Sequence, residues 1–396
     1  MSTTARASRP RLDPHDPLGI EPLLSDEERA GRDRVRAWVR ERFLPDAEAL
    51  FEEARWPREI VRELGDLGVL GMHLDNYGCA GASAVSYGLA CQELEAGDSG
   101  LRTFASVQGS LAMTAIHAFG SEDQRRAWLP RLAAGEAVAC FALTEPGAGS
   151  DPGSMTTTAR REGGGWRLDG TKRWIGMGSI ADVAVVWART DEGVRGFLVE
   201  RGTPGLTTRD ITGKRSLRAS LQSELTFDAC MVGEDERLPD AAGLSAPFTS
   251  LTDARYGVAW GVCGAARACY EAALEHTGRR EQFGRPIASF QLVQARLAEM
   301  ALALGKAQLL ALHVGHAKDA GRCAPEHISA AKLDNVRAAA SVARDARRLL
   351  GGDGITDAYP AMRHMANLEA VMTYEGTPEV HTLILGRALT GVNAFA

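Results

Sequence analysis

The sequence has little of what would direct a chain to nucleic acid or to a membrane. Basic residues do not outnumber acidic ones: Lys and Arg total 45, Asp and Glu total 51, and the formal net charge is -6. Without a basic stripe, nucleic acid is not expected as a main partner. No apolar stretch approaches the roughly 18 residues that a membrane-spanning helix requires, so a membrane partner is not expected either.

Paired cysteines and export signals are also lacking. The seven cysteines are scattered without a paired CxxC motif, so neither a metal site nor a disulfide framework is predicted. Unpaired cysteines suit a reducing compartment, and we expect the protein to be cytoplasmic. The basic N-terminal segment lacks the apolar core of a secretory signal, and residues 1–20 are predicted to form a flexible tail.

Helical patterns along the chain give way to strand patterns and then return. Ser25 and Glu28 form a capping-box pattern in front of an amphipathic helix. Short β-prone segments with glycine turns follow, and then long Ala- and Leu-rich stretches typical of a bundle. The sequence predicts an α+β fold with an N-terminal α-helical domain over 21–137, a small antiparallel β domain over 138–244 and a C-terminal four-helix bundle over 245–396.

One segment near the C-terminus carries a candidate base. In Thr373-Tyr374-Glu375-Gly376-Thr377 a single carboxylate stands beside a glycine. Glycine permits close approach of a ligand to the backbone, and a partly desolvated glutamate is a stronger base that can take a carbon-bound proton. The alternative is a glutamate that only complements the dipole of a helix start.

Four other places in the sequence suit a ligand site. The segment 141–151 combines two glycines, a proline and several hydroxyl or carboxylate groups, which suit phosphate or heterocycle oxygens, although an ordinary turn has a similar composition. It matches neither a GxxxxGK[ST] nor a GxGxxG motif. Trp174 is either the flank of a flat ring system or a core tryptophan. Arg280 suits a pyrophosphate or a solvated salt bridge, and the glycines of 349–354 suit a helix C-cap or a cofactor contact.

Taken together, in this order and spacing, these segments resemble the acyl-CoA dehydrogenase family of flavoproteins over about residues 13–395. The resemblance implies FAD as cofactor, an acyl-CoA substrate, an electron-transfer flavoprotein as partner and a homotetramer. It assigns the role of catalytic base to Glu375. The residues that it implies for FAD are Phe141, Leu143, Thr144, Gly149, Ser150, Trp174, Ile175, Gly176, Arg280, Phe283, Gln291, Arg348, Gly351, Gly352, Thr377 and Glu379. Those that it implies for the substrate are Glu95, Arg102, Thr103, Ser150, Phe248, Leu251, Thr252, Arg255, Tyr374, Gly376 and Phe395.

The resemblance also implies the reaction. The base removes the α-proton of a thioester, and the β-hydrogen leaves as hydride to the flavin. Hydrogen bonds to the thioester oxygen, from the Glu375 backbone N–H and a flavin ribityl hydroxyl, stabilise the developing enolate. Each such donor contributes roughly 2.7–4 kcal/mol in comparable oxyanion sites.

The acyl group is indicated by Arg102. A pocket for a plain fatty acyl chain favours apolar residues, and an unpaired buried guanidinium is costly. The segment from Asp98 to Gln108 is similar to the carboxylate-binding segment of glutaryl-CoA dehydrogenases, in which an arginine and a nearby glutamate, here Arg102 and Glu95, hold the far carboxylate. This implies conversion of glutaryl-CoA to crotonyl-CoA and CO2. The alternative is an Arg102 that pairs with Asp98 or Glu95 at the surface.

Gly176 departs from the pattern of those enzymes. They typically follow the flavin tryptophan with Ile and Thr, whose hydroxyl bonds flavin N5, whereas this chain has Trp174-Ile175-Gly176. The glycine version is similar to a plant peroxisomal acyl-CoA oxidase of the same family. Three alternatives therefore stay open: a dehydrogenase for another short or branched acyl-CoA, an oxidase that uses O2, and a non-catalytic acyl-CoA or acyl-carrier binding protein on the same scaffold.

Overall fold

A computed structural model of the protein describes residues 12–395. The chain begins in turns and then forms a helical group. Its capping box is present: Ser25 Oγ accepts the Glu28 N–H at 3.2 Å, and the Glu28 carboxylate accepts the Ser25 N–H at 2.7 Å. The helices of this group are α1 (Asp26–Trp38), α2 (Ala47–Glu52), α3 (Ile60–Asp66), α4 (Ala84–Gly97), α5 (Ser99–Ala105), α6 (Thr114–Phe119) and α7 (Glu122–Ala133), with π-helical turns at Val39–Phe43 and Ser106–Met113.

Strands occupy the middle of the chain. They are β1 (Ala139–Ala142), β2 (Thr158–Glu162), β3 (Gly165–Gly176), β4 (Val183–Thr190), β5 (Gly193–Glu200), β6 (Leu206–Asp210) and β7 (Gln222–Val232). The sheet is mixed, not purely antiparallel: β4 pairs in parallel with β1 and, at one position, with β2, while the other strand pairs are antiparallel. The helix–sheet–helix order and the α+β class are confirmed, and only the strand direction at β4 differs from the prediction.

The last group is a helical bundle. Its elements are α8 (Ser245–Arg279), the short strands β8 (Glu281–Gln282) and β9 (Arg285–Pro286), then α9 (Gln291–Asp319), α10 (Pro325–Leu349), α11 (Ala361–Thr373) and α12 (Pro378–Thr390). Helix α8 lies at the centre, packed against α4 on one side and α10 on the other. The first residues of β1 and α8 fall close to the predicted domain limits, which themselves stay predictions. Of the predicted tail, residues 1–11 lie outside the described range.

Helix α9 differs in part from the sequence expectations. By length and hydropathy alone this helix would be able to cross a membrane. The prediction that no apolar stretch approaches that length is therefore wrong. A buried helix of a soluble bundle passes the same test, and Met300 and Leu304 are indeed buried against the other bundle helices. Leu292, in the first turn of this Leu-rich helix, is by contrast 85% exposed.

A bulge in β3 positions Trp174. The register between β3 and β7 shifts between Lys172 and Ile175, and Trp174 adopts a φ of 62°. Bulges of this kind redirect a side chain at the rim of a sheet. Lys172 therefore points into the core, where it is fully buried, while the Trp174 indole is 52% exposed.

Lys172 ties β3 to the polar segment 141–151. Its ammonium donates to the Leu143 carbonyl at 2.9 Å and to the Glu145 carboxylate at 2.8 Å. Glu145 in turn accepts the backbone N–H groups of Thr156 and Thr157. Both charges of this pair are buried, and their contacts are to residues of the segment 143–157. The ion pair therefore fixes this loop next to the strand that carries Trp174.

Replacing the lysine tests this role. We expect Lys172→Met to lower the thermal midpoint by about 5–10 °C, because loss of one partner leaves a buried carboxylate uncompensated. Lys306→Met, at an exposed position of α9, is the matched control and should leave the midpoint nearly unchanged. Equal midpoints for the two variants, measured by differential scanning calorimetry, would contradict the assignment.

Candidate active site

The candidate base lies in the turn between α11 and α12. Helix α11 ends at Thr373, and Thr377 caps α12 by accepting the Val380 N–H at 3.3 Å. The residues between them bend sharply: Glu375 has a φ of 54° and Gly376 a φ of 102°. A Cβ on Gly376 would lie 2.7 Å from His381 Nε2, so this turn requires glycine. A glutamate with positive φ is strained, and such strain is concentrated at functional sites.

The Glu375 carboxyl is turned into the protein. Its Oε2 atom is buried and has no hydrogen-bond partner within the described residues. Burial raises the pKa of this carboxyl above its ordinary value, although the nearby cations of Arg102, Lys332 and Arg255 act in the opposite direction. An unpartnered, desolvated carboxylate is the arrangement that makes an effective general base.

Arg102 lies beside Glu375 and is fully buried. Its Nε donates to Glu95 Oε2 at 2.6 Å, and its Nη2 donates to the Tyr374 hydroxyl. Glu95 is equally buried and accepts from Ser99 Oγ at 2.9 Å. Arg102 does pair with Glu95, but inside the protein and not at its surface; Asp98 instead binds Arg363 at 2.7 Å.

Helix α8 packs directly against this ion pair. A Cβ on Gly261 of α8 would lie 2.2 Å from Glu95 Oε2 and 3.0 Å from Arg102 Nε. Only glycine therefore allows α8 to pack against the pair. Thr103 completes the group, with its hydroxyl 3.4 Å from the Tyr374 hydroxyl. The structure brings together four of the predicted substrate residues, Glu95, Arg102, Thr103 and Tyr374, next to Glu375.

A second row of contacts joins this group to β3. Arg102 Nη1 approaches Ser106 Oγ at 3.4 Å, and the next residue, Val107, faces Gly176, where an added Cβ would lie 3.0 Å from its Cγ2. The π-helical turn that holds both residues is a feature frequently found at functional sites. The π-helical turn thus connects the surroundings of Glu375 with the end of β3.

Of the residues predicted for the flavin ring, Ile175 and Gly176 follow Trp174 on β3, and the segment that begins at Phe141 is bound to the same strand. The Thr144 carbonyl accepts the Arg173 N–H at 2.8 Å, which places Thr144 next to this strand. Phe141, Leu143 and Ile175 have buried side chains, so mainly their backbone is available to a ligand. Gly149 is exposed, and an added Cβ there would meet nothing within 4 Å. An exposed indole, a neighbouring hydroxyl and an open glycine loop fit a flat ring system with a phosphate tail.

The other predicted residues lie nearer the surface. Ser150, Phe248 and Phe395 are exposed, whereas Leu251 and Thr252 are half-buried. Arg255 is half-buried and donates to the Glu375 carbonyl at 2.7 Å. Residues predicted for the adenosine half of FAD are at exposed positions: Arg280, Phe283, Gln291, Arg348, Gly351 and Gly352. Thr377 caps α12 and Glu379 is exposed in its first turn. The contacts of these residues with a cofactor or substrate stay predictions.

Two buried lysines were missed in the sequence. Lys172 and Lys332 are each almost fully buried, and both bind backbone carbonyls of predicted site segments. The signal was present for Lys332, since it is a lone cation in the apolar stretch Ile328-Ser-Ala-Ala-Lys332-Leu of a helical pattern. Charged residues are rarely buried without a partner, so a buried lysine with specific hydrogen-bond partners could have been predicted at this position.

Comparison with known proteins identifies the class. Three family models match the chain in the same order as its domains: acyl-CoA dehydrogenase, N-terminal domain over 25–136, middle domain over 140–230 and C-terminal domain over 241–390. The chain belongs to the acyl-CoA dehydrogenase family. It is an FAD-dependent oxidoreductase, and the residues around Trp174 fit that cofactor.

Individual relatives refine the comparison. A glutaryl-CoA dehydrogenase from Mycobacterium smegmatis is 57% identical, with a TM-score of 0.96 over 98% of this chain and 100% of that one. A second structure of such an enzyme from that organism, in complex with FADH2, is 54% identical over 97% of this chain and 99% of that one, with a TM-score of 0.96. The human mitochondrial short-chain specific acyl-CoA dehydrogenase is 35% identical over 88% of this chain and 87% of its own length.

Glu375→Gln tests the assignment of the base. We expect substrate-dependent flavin reduction to slow by about 10²–10⁴-fold while the FAD absorbance is retained, because only proton removal is lost. In the parent, kcat/KM should fall as pH falls through the pKa of Glu375, at a pH above the roughly 4.3 of an ordinary glutamate, since burial raises that pKa.

Glu369→Gln is the matched control, since Glu369 lies exposed on the helix that precedes the turn. Stopped-flow measurement of flavin bleaching at several pH values makes the comparison. A Glu375→Gln variant as fast as Glu369→Gln would show that the base lies elsewhere.

Proposed function

We propose that the protein oxidises glutaryl-CoA, releases CO2 and forms crotonyl-CoA, and passes its electrons to an electron-transfer flavoprotein. One observation carries this proposal: Arg102 is fully buried beside the proposed base, and Glu95 is its only ion-pair partner among residues 12–395. The remaining guanidinium contacts are to the hydroxyls of Tyr374 and Ser106. Hydroxyls carry no charge, so a second carboxylate would bind this cation more strongly than they do.

The charges of the region support an anionic substrate. Three basic side chains, Arg102, Arg255 and Lys332, interact with the two carboxylates of Glu95 and Glu375. When all five are ionised, one positive charge is in excess. Buried charge of one sign is unfavourable unless it is neutralised, and the free carboxylate of a glutaryl group would supply the missing negative charge.

The residues then divide the reaction between them. Glu375 takes the α-proton. FAD, when bound, would supply the two-electron oxidation that removes the β-hydrogen as hydride. Arg102, oriented by Glu95, holds the far carboxylate until the bond to CO2 breaks. Glu375 then returns its proton to the carbon that has lost CO2, so that no net proton is consumed at the base.

The deciding experiment is an anaerobic titration of the purified holoenzyme. Glutaryl-CoA should bleach the flavin at lower concentration than butyryl-CoA, and crotonyl-CoA and CO2 should appear in equal amounts. Preferential bleaching by butyryl-CoA would support the alternative of a dehydrogenase for another short acyl-CoA. Glutaconyl-CoA as the final product would contradict the decarboxylation.

Removing the charged pair should remove the preference. We expect Arg102→Met combined with Glu95→Gln to lower kcat/KM for glutaryl-CoA by about 10–100-fold, since a charge-assisted contact of about 1.5–3 kcal/mol is lost. The Glu95 change avoids leaving a buried carboxylate without its partner. Butyryl-CoA is the internal control, and its kcat/KM should be unchanged or higher; equal losses for both substrates would show general damage to the pocket.

An O2-using oxidase is the second candidate, favoured by Gly176. The hydroxyl expected at this position is absent, and Val107 has taken part of the space, because an added Cβ would lie 3.0 Å from its Cγ2. Peroxide formation in air at the rate of substrate consumption would establish the oxidase. A rate that depends on electron-transfer flavoprotein, with little peroxide, is expected for the dehydrogenase.

The same contact predicts how the hydroxyl can be restored. Gly176→Thr alone should disturb the site, since its Cβ is crowded by Val107, whereas Gly176→Thr with Val107→Ala should bind FAD normally and form less peroxide. Peroxide assays on the two variants and on Val107→Ala make the comparison. The single variant performing as well as the double one would show that Val107 does not occupy that space.

We further propose a cytoplasmic homotetramer that does not act on nucleic acid. The exposed apolar side chains of Phe283, 93% accessible, and of Leu292, near it in sequence, support contact with other subunits. All seven cysteines are free thiols, as suits a reducing compartment. The excess of acidic over basic residues supports the last point.

A further inference from the structure

Lys332 is a buried lysine that the reaction described above does not use. It lies within α10 and is 1% exposed, and the other buried residues of this helix are apolar apart from Ser329 and Asn335. Burial lowers the pKa of its ammonium to about 7, and the charge of Glu375 acts in the opposite direction. Its ammonium donates to the carbonyl of Tyr374 and, at 2.6 Å, to the carbonyl of Gly376. These are the two residues on either side of Glu375.

The carbonyl between them is bound as well. Arg255, from α8, donates to the Glu375 carbonyl at 2.7 Å. Three successive carbonyls, those of Tyr374, Glu375 and Gly376, are therefore each held by a cationic side chain from one of two different helices. A charge-assisted hydrogen bond is about twice as strong as a neutral one.

These contacts oppose a specific strain. Glu375 has a φ of 54°, a conformation that costs a side-chain-bearing residue of order 1–3 kcal/mol and persists only where its surroundings fix it. The φ of Glu375 sets the direction of its carboxylate. If the carbonyls on both sides were free to rotate, the strained turn would relax and the carboxylate would change its direction.

Lys332 also acts on Glu375 through its charge. The ionisable groups around the ammonium are Glu375 and Tyr374 of the turn, Arg255 of α8, Arg102 of α5 with its partner Glu95 of α4, and His381 of α12. His381 is neutral, because burial lowers its pKa to about 3. The ammonium lowers the pKa of the Glu375 carboxyl, against the larger effect of burial.

We propose that Lys332 is a positioning residue for this reaction: by binding the carbonyls before and after Glu375, it holds the carboxylate in the orientation that reaches the substrate. The inference rests on the proposed role of Glu375 as base. Its effect reaches the carboxylate through the backbone of the turn, which it binds, and through its charge.

The test uses the holoenzyme carrying Lys332→Met or Lys332→Gln, with the exposed Lys306→Met as matched control. For Lys332→Met we expect flavin reduction by glutaryl-CoA to slow by about 10–100-fold, the range for a misplaced catalytic group. FAD content and KM should change little. The acid limb of the pH profile should move to higher pH, because the carboxyl loses a neighbouring cation.

Lys332→Gln separates the two effects. Its amide donates to a carbonyl without carrying a charge, so it should recover part of the rate and keep the shifted pH profile. A Lys332→Met variant with the rate and pH profile of Lys306→Met would overturn the proposal. So would losses in both Lys332 variants that only follow the loss of FAD or of folded protein.

Glu375→Gln, measured in parallel, distinguishes an error in the assignment of the base from an error in the role of Lys332. If it is as fast as the parent, the assignment of the base fails, and the positioning role fails with it. If Glu375→Gln is slow while Lys332→Met matches the parent, the base stands and only the role of Lys332 is wrong.

Discussion

Desolvation of charge controls the whole site, and burial raises the pKa of the Glu375 carboxyl because water cannot stabilise its anion there. The same burial would make the neighbouring guanidinium of Arg102 very costly if Glu95 did not accompany it. Glycine at 261 allows α8 to close over that pair, since any side chain there would meet Glu95. The exclusion of water from this region thus links three features: the packing of α8 against α4, the charge of the pocket and the basicity of Glu375.

Strain in the backbone is the second constraint, and it occurs on both sides of the region. Glu375 and Trp174 each have a positive φ, although neither is a glycine, and each is next to a buried lysine that binds main-chain carbonyls of its site segment. The two lysines contribute to different parts of the site. Lys172 fixes the loop before the exposed indole, and Lys332 fixes the turn that carries the carboxylate. Such strain is maintained when several strong contacts fix the same few dihedral angles.

Several features were predictable from the sequence because they depend on local pattern. The capping box at Ser25, the order of helical and strand segments, and the fold class follow from periodicity and turn residues. The parallel pairing of β4 was not predictable, because strand direction depends on contacts between segments distant in the chain. Glu375 stood out as a single carboxylate beside a glycine, whereas Arg102 was singled out through the resemblance to glutaryl-CoA dehydrogenases. Lys332 carries the same signal, yet its partners are main-chain carbonyls, which no pattern of side chains reveals.

Gly176 shows how a substitution at one position is absorbed by its neighbour. Loss of a hydroxyl side chain opens a space, and close packing disfavours an empty one. Val107 fills part of it from the π-helical turn, where the preceding residue, Ser106, contacts Arg102. The segment that accommodates the glycine is therefore also the one that contacts the buried Arg102. Because side chains in contact do not act independently, a change beside Gly176 is expected to affect the surroundings of Arg102 as well.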